Sequence, residues 1–145
     1  MDVGDSRIGV AASDSRGGVV LPVETVRAHP RSAAVKRVAQ IATEREAIEV
    51  VVGLPRNMAG DEGPAAAKAR SFAGLLAARA PGVRVCLVDE RLTTTQAQGL
   101  LHEVGLDSRR SRGVIDQMAA QIILEQALAS ERGAGGLPGE TVSES

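Results

Sequence analysis

The stretch that decides the fold class is residues 47–54, Ala47-Ile-Glu-Val-Val-Val-Gly-Leu54. It is a short, nearly continuous apolar run, which is typical of a strand buried on both faces. Helical patterns flank it on both sides. Because strands that alternate with helices build parallel sheets, this stretch indicates an α/β domain.

The residues before this strand predict a three-stranded antiparallel meander followed by a helix. Apolar segments at residues 1–3, 8–12 and 19–23 are short and are separated by turn residues. Ser32 is placed to cap a helix that runs to about residue 45, since the apolar positions after it follow a helical period.

The residues after this strand predict further helices and one more strand. Pro64 suits the first turn of a helix that ends before Pro81-Gly82, and a strand over residues 83–89 follows. Helices are predicted over residues 94–104 and 113–132. The whole pattern predicts a five-stranded mixed sheet, three antiparallel strands and then two parallel ones, with helices on both faces.

Composition limits the class of protein. The 145 residues carry a net charge of -1 and are 43% hydrophobic, which fits one globular domain. Residues 1–132 are assigned to this domain and residues 133–145, rich in Gly, Ser and Glu, to a disordered tail. Neither a membrane span nor a signal peptide is apparent, so we expect a cytoplasmic protein. Cys86 lies in an apolar run and is expected to be a buried thiol.

Acidic residues collect at one edge of the predicted sheet. If the fourth strand lies parallel between the first and the fifth, their carboxyl ends meet where α/β sheets place ligands. Asp2, Asp89 or Glu90, and Asp116 satisfy this condition. Asp116 shares a helix face with apolar residues and is therefore aimed at the core. Clustered buried carboxylates are costly unless a cation binds them, which favours Mg²⁺ or Mn²⁺.

Each acidic residue also has a purely structural interpretation. Asp116 can favour the N-terminus of its helix through the dipole, Asp89 can pair with Arg91, and Asp2 can serve a turn. The convergence of three acids favours the metal site over these separate explanations. The densest basic cluster, Arg109, Arg110 and Arg112, suits either a phosphate backbone or a solvated loop.

Four motifs, in order along the chain, carry a resemblance to a known family. They are Asp2-Val3-Gly4-Asp5-Ser6-Arg7-Ile8-Gly9-Val10-Ala11; Val52-Gly53-Leu54-Pro55-Arg56-Asn57-Met58 with Gly60 and Gly63; Val88-Asp89-Glu90-Arg91-Leu92-Thr93-Thr94; and Val114-Ile115-Asp116 with Ala119-Ala120. Together they resemble the YqgF/RuvX family of RNase H-like nucleases.

The resemblance implies an RNase H-like fold and a nuclease that depends on Mg²⁺ or Mn²⁺. It also implies a role in maturing the 5′ end of 16S ribosomal RNA in the cytoplasm. Asp2, Glu90 and Asp116 are implied as catalytic acids and metal ligands, with Asp89 as the alternative second acid. Strand alternation places Asp89 and Glu90 on opposite faces, so only one of them belongs to the site.

The favoured function is endonucleolytic cleavage of structured RNA, namely pre-16S rRNA. The phosphates of this RNA would be bound by Arg56, Arg91 and the cluster Arg109, Arg110 and Arg112. Phe72 is the only aromatic residue, which favours recognition of shape over base stacking. The alternatives are a Holliday junction resolvase acting on branched DNA and a non-catalytic RNA-binding module. Junction cleavage requires two active sites, so a homodimer and a monomer both stay open.

Family members usually carry several apolar residues before the first acid, whereas Asp2 directly follows Met1. A chain extended upstream of Met1 by a few apolar residues is therefore expected to be more stable and more active.

Overall fold

The computed structural model describes residues 1–14, 19–57, 59–89, 112–134 and 140–142. Within them the element order is β1 (Asp2–Val3), β2 (Arg7–Ser13), β3 (Val20–Arg27), α1 (Arg31–Glu44), β4 (Glu49–Leu54), α2 (Pro64–Arg79), β5 (Arg84–Asp89), α3 (Arg112–Ala134) and β6 (Glu140–Thr141). This order confirms the α/β class. The helix predicted over residues 94–104 lies outside the described residues.

The strands form two hydrogen-bonded groups of three. In the first, β2 pairs antiparallel with both β1 and β3, and Asp2 faces Gly9 across the ladder. In the second, β4 and β5 run parallel, from the pair of Glu49 with Arg84 to the pair of Leu54 with Asp89, and β6 is antiparallel to β5. The meander and the parallel pair are thus both as predicted.

Two hydrogen bonds at Met1 connect the first group of strands to β4. The N-terminal amino group of Met1 donates to the carbonyl of Val51, and the amide of Gly53 donates to the carbonyl of Met1 at 3.0 Å. In a parallel ladder, one residue forms hydrogen bonds with two residues of the neighbouring strand that are two positions apart. The start of the chain therefore lies alongside β4, opposite Val52.

Helices cover both faces of β4 and β5. Val52, Val85 and Leu87 belong to a core that also contains buried residues of α1 and α2. Val51 and Cys86 point the other way and pack against Ile123 and Ala127 of α3. Because successive side chains of a strand alternate between faces, α1 and α2 lie on one side and α3 on the other.

The helix starts show one agreement and one difference from the prediction. Pro64 occupies the first turn of α2, as predicted. However, α1 begins at Arg31, with Pro30 in extended conformation as its N-cap, so Ser32 lies inside the helix rather than capping it. The carbonyl of Pro30 already accepts hydrogen bonds from the amides of Ala33 and Ala34, at 3.1 Å each.

Part of the segment assigned to the tail is paired. The amide of Val142 donates to the carbonyl of Val85 at 2.8 Å, and the side chain of Val142 packs against the core under α1 and α2. Residues 140 and 141 therefore extend the sheet at the edge of β5. Residues 135–139 and 143–145 lie outside the described residues.

No helix in the part of the chain that the structure describes is both long and apolar enough to cross a bilayer.

Cys86 provides a test of the packing of α3 against β4 and β5. Its side chain is fully buried, and burial, together with the nearby Glu49 carboxylate, raises the pKa of the thiol to about 11. The reactive thiolate is therefore scarce near neutral pH. We expect iodoacetamide at about pH 8 to leave the folded protein unmodified and to label Cys86 fully in concentrated guanidinium chloride.

The control is Gln40→Cys, which places a thiol at an exposed position of α1 and should react at once. Mass spectrometry counts the labelled thiols. Rapid labelling of Cys86 without denaturant would contradict this packing.

Candidate active site

Asp2 and Asp116 approach each other across a single glycine. Asp2 faces Gly9 in the β1–β2 ladder, where opposing Cα atoms lie about 4.5–5.5 Å apart. A Cβ atom added to Gly9 would lie 1.9 Å from the carbonyl oxygen of Asp116. Backbones of β2 and α3 therefore touch at this position, and two acids separated by most of the chain flank the same residue.

Strand alternation places the Asp2 side chain on the α3 face. Its neighbours Met1 and Val3 both pack into the core under α1 and α2, so Asp2 points to the opposite side of the sheet. Gly9 also lies on the α3 side, because Ile8 and Val10 belong to that same core. This face of β1 and β2 is therefore the one on which both acids lie.

Arg7 is the basic partner of Asp116. Its Nε donates to Asp116 Oδ2 at 2.7 Å, and the Asp116 side chain is only 18% exposed. A charge-assisted hydrogen bond of this length offsets part of the cost of holding the carboxylate in a partly buried position. Arg7 therefore also fixes the direction in which the carboxylate points.

Two glutamines hold α3 in place against β3. Gln117 Nε2 donates to Thr25 Oγ1 at 3.0 Å, and Gln121 Nε2 donates to the carbonyl of Val20 at 3.2 Å.

Since α3 begins at Arg112, Asp116 lies beyond its first turn, which contains no acidic residue. A helix-dipole role, which fades beyond the first turn, does not explain the position of Asp116.

Asp89 lies on the other face of the sheet. It follows Val85 and Leu87 in the alternation of β5, and both of these pack under α1 and α2. Its Oδ2 is 3.7 Å from Arg56 Nη1. Asp89 is therefore not brought to the face that carries Asp2 and Asp116.

Arg56, predicted to contact phosphate, takes part in an intramolecular network. Besides Asp89, its guanidinium contacts Glu62 Oε2 at 3.5 Å, and Glu62 in turn accepts bonds of 2.6 and 2.8 Å from Arg70. Arg56 Nε is buried and has no hydrogen-bond partner among the described residues. The guanidinium thus ties the segment after β4 to the end of β5.

The remaining predicted site residues lie beyond what the structure describes. Glu90, Arg91, Arg109 and Arg110 are outside the described residues, and only the backbone of Arg112 belongs to them. Within the described ranges, no group of three His, Cys, Asp or Glu side chains is close enough to hold a metal ion. The structure therefore brings together two of the three predicted acids and leaves the third as a prediction.

Neither Arg7 nor Gly9 is among the site residues predicted from the sequence. The alternation of side chains in β2 carried a signal. On the face opposite Ile8 and Val10, the basic residue Arg7 is followed two positions later by Gly9, which has no side chain. That pattern marks a face with space for another element and a charge that requires a partner.

The donor chemistry of the site fits a hard divalent cation. The two carboxylates offer only oxygen atoms, which Mg²⁺ and Mn²⁺ prefer, and no thiol or imidazole joins them among the described residues. The Arg7 guanidinium pairs with the Asp116 carboxylate at this position.

Comparison with known proteins gives a family and close relatives. A family profile described as "RuvX: Holliday junction resolvase" matches residues 1–130. A protein of Streptomyces coelicolor named "Putative pre-16S rRNA nuclease" is 54% identical over 98% of this chain and 85% of its own length. Proteins of the same name from Nocardioides sp. and Mycobacterium sp. (strain KMS) are each 50% identical; the alignments cover 99% and 97% of this chain and 94% and 83% of theirs.

Gly9 tests the approach of β2 to α3. Replacing it by alanine places a methyl group against the Asp116 carbonyl, so the helix must shift or the protein must unfold. We expect Gly9→Ala to lower the free energy of unfolding by about 3 kcal/mol or more in urea denaturation.

The matched control is Gly82→Ala, where an added Cβ meets nothing within 4 Å. That variant should stay within about 0.5 kcal/mol of the wild type. Equal losses in both variants would contradict the close contact at Gly9.

Proposed function

We propose the following activity for this chain, which belongs to the RuvX family: it is a nuclease that cleaves the precursor of 16S rRNA with the help of a divalent metal ion. The observation that carries the metal-dependent part is the pairing of Asp2 and Asp116 around Gly9 on one face of the sheet. The names of the relatives support the choice of RNA substrate.

We propose Glu90 as the third acid rather than Asp89. The placement of Asp89 on the face of α1 and α2, next to Arg56, supports this choice. Because the side chains of a strand alternate between its two faces, Glu90, the residue after Asp89, is the candidate for the α3 face. Asp2, Glu90 and Asp116 would then hold Mg²⁺ or Mn²⁺.

The chain's own residues have separate tasks in this proposal. A bound metal ion would activate water and stabilise the negative charge that develops as the phosphodiester is hydrolysed. Arg7 orients the Asp116 carboxylate and neutralises part of its charge. The contact of Gly9 with α3 fixes the separation of the two acids, and positioning of this kind is a large part of catalysis.

The finer fold assignment is part of the same proposal. We propose that β3, β2, β1, β4 and β5 act as one mixed sheet of the RNase H-like type, in residues 1–132. The hydrogen bonds between Met1 and β4 support a single sheet, and the family match, which ends at residue 130, supports the boundary. The remaining predicted phosphate contacts, Arg91, Arg109, Arg110 and Arg112, stay part of the proposal, as does a cytoplasmic location.

The second candidate substrate is a four-way DNA junction, which the family description favours. Resolving a junction requires two cuts, so this activity requires a homodimer, whereas RNA cleavage is compatible with a monomer. A monomeric mass by light scattering would therefore exclude junction resolution, whereas a dimeric mass is compatible with either substrate.

The decisive test compares a precursor 16S RNA fragment with a DNA junction, each with Mg²⁺, with Mn²⁺ and with a chelator. We expect RNA cleavage that requires the metal. Because changing even an indirect partner of a metal ligand typically costs 10–100-fold, Asp2→Asn, Glu90→Gln and Asp116→Asn should each lower the rate by about 100-fold or more.

Asp89→Asn is the matched control, because it removes a carboxylate next to the proposed third acid but on the other face. It should keep its rate within about tenfold of the wild type. Cleavage of the junction alone would favour the resolvase. RNA binding that is unchanged by Asp2→Asn, without any cleavage, would favour a non-catalytic module.

A further inference from the structure

A small cavity lies on the face opposite the acids, where β1 ends. It has a volume of about 50 Å³, and its lining includes Val3, Asp5, His29, Arg31, Lys68 and Phe72. Since one water molecule needs roughly 10–15 Å³ of such space, the cavity accepts a group several times larger. Its floor includes the buried ring of Phe72, while polar side chains surround it.

Basic side chains outnumber acidic ones around this cavity. Arg31 and Lys68 line it together with His29, against the single carboxylate of Asp5. Lys68 pairs with Asp5, but the side chains are 49% and 78% exposed, and a pair exposed to this extent contributes little. A stronger anion can therefore share Lys68 or replace Asp5 as its partner.

Arg31 keeps donors for a ligand. Its Nη1 donates to Ser71 Oγ at 3.1 Å, which uses one of the five N–H groups of the guanidinium. His29 Nε2 lies 2.9 Å from the carbonyl of Asp5, and this contact holds the imidazole at the cavity. The Arg31 guanidinium is therefore partly positioned and not saturated.

The N-terminus of α1 adds positive potential at the same place. Arg31 is the first residue of this 14-residue helix, its N-cap Pro30 makes no side-chain capping bond, and the first turn has no acidic residue. Exposed amides and the helix dipole favour an anion at such an end. The basic side chains and the helix end thus act on one cavity.

The cavity is close to the acids along β1. Asp2 faces α3, and the next three residues, Val3, Gly4 and Asp5, line the cavity on the other side. Three Cα steps span at most about 11 Å. A nucleic acid strand rises roughly 3.4 Å per nucleotide, so a strand that passes around the end of β1 needs at least about three nucleotides to do so.

We propose that this cavity binds a backbone phosphate of the RNA substrate, a few nucleotides from the scissile bond, through Arg31, Lys68 and the N-terminus of α1. The inference rests on the proposed function for its ligand. It assigns a second binding point for the substrate on the face of the sheet that does not carry the acids.

The test measures binding of a fluorescent precursor RNA fragment by anisotropy as a function of salt, with metal chelated to prevent cleavage. We expect the double variant Arg31→Ala/Lys68→Ala to raise the Kd about tenfold. The negative slope of log K against log salt should become less steep by about 0.7 for each phosphate that the variant no longer neutralises. Steady-state cleavage should show a raised KM with kcat unchanged.

Two single variants serve as controls, one expected to have no effect and one expected to tighten binding. Lys36→Ala removes an exposed lysine from the same helix α1 but away from the cavity, and should leave Kd and slope unchanged. Asp5→Asn removes the competing carboxylate and should tighten binding about twofold to threefold. Melting temperatures within a few degrees of the wild type would show that the variants fold.

A double variant that binds RNA like Lys36→Ala would overturn the proposal. Competition by a nucleoside monophosphate as strong as that by RNA would overturn the assignment to a polymer phosphate. Salt-dependent RNA binding through Arg31 and Lys68 without metal-dependent cleavage would support this site and refute the nuclease mechanism, so the two failures are distinguishable.

Discussion

The close contact between β2 and α3 at Gly9 is the constraint on which the site depends. No side chain separates the strand from the helix there, so the Asp116 carbonyl approaches the backbone of β2 to a distance that any other residue would prevent. Asp2 lies directly across the ladder from the same glycine. A single backbone contact therefore determines how far apart the two acids are, while Arg7 determines the direction of one of them.

The two faces of β1 have different surroundings. On the α3 face, Asp2 and Asp116 lie on either side of Gly9, and Arg7 contacts Asp116; this is the proposed metal site. On the face of α1 and α2, Arg31 and Lys68 create a site with excess positive charge, which suits a phosphate. The proposed activity uses both, because its substrate is an anion and the proposed metal ion is a cation. The short strand β1 brings the two sites within a few residues of each other.

The sequence predicts the features that depend on local patterns. The apolar run of β4, the proline at the start of α2 and the meander of β1 to β3 follow from periodicity and turn residues, and the structure confirms them. The joint metal site of Asp2 and Asp116, inferred from sheet topology, stays a prediction. Features that depend on distant partners were missed: Arg7 contacts Asp116 across 109 residues, and the alternation in β2 shows a charge without identifying its partner. Val142 was assigned to a tail because pairing with an open strand edge leaves no periodic signal.

Joint binding of one divalent ion by Asp2 and Asp116 can be tested with a crystal of this protein soaked in Mn²⁺, with diffraction recorded at the manganese absorption edge. We expect an anomalous peak within about 2.1 Å of a carboxylate oxygen of each residue. A peak that contacts only one of them, or that lies on the face of α1 and α2, would contradict it.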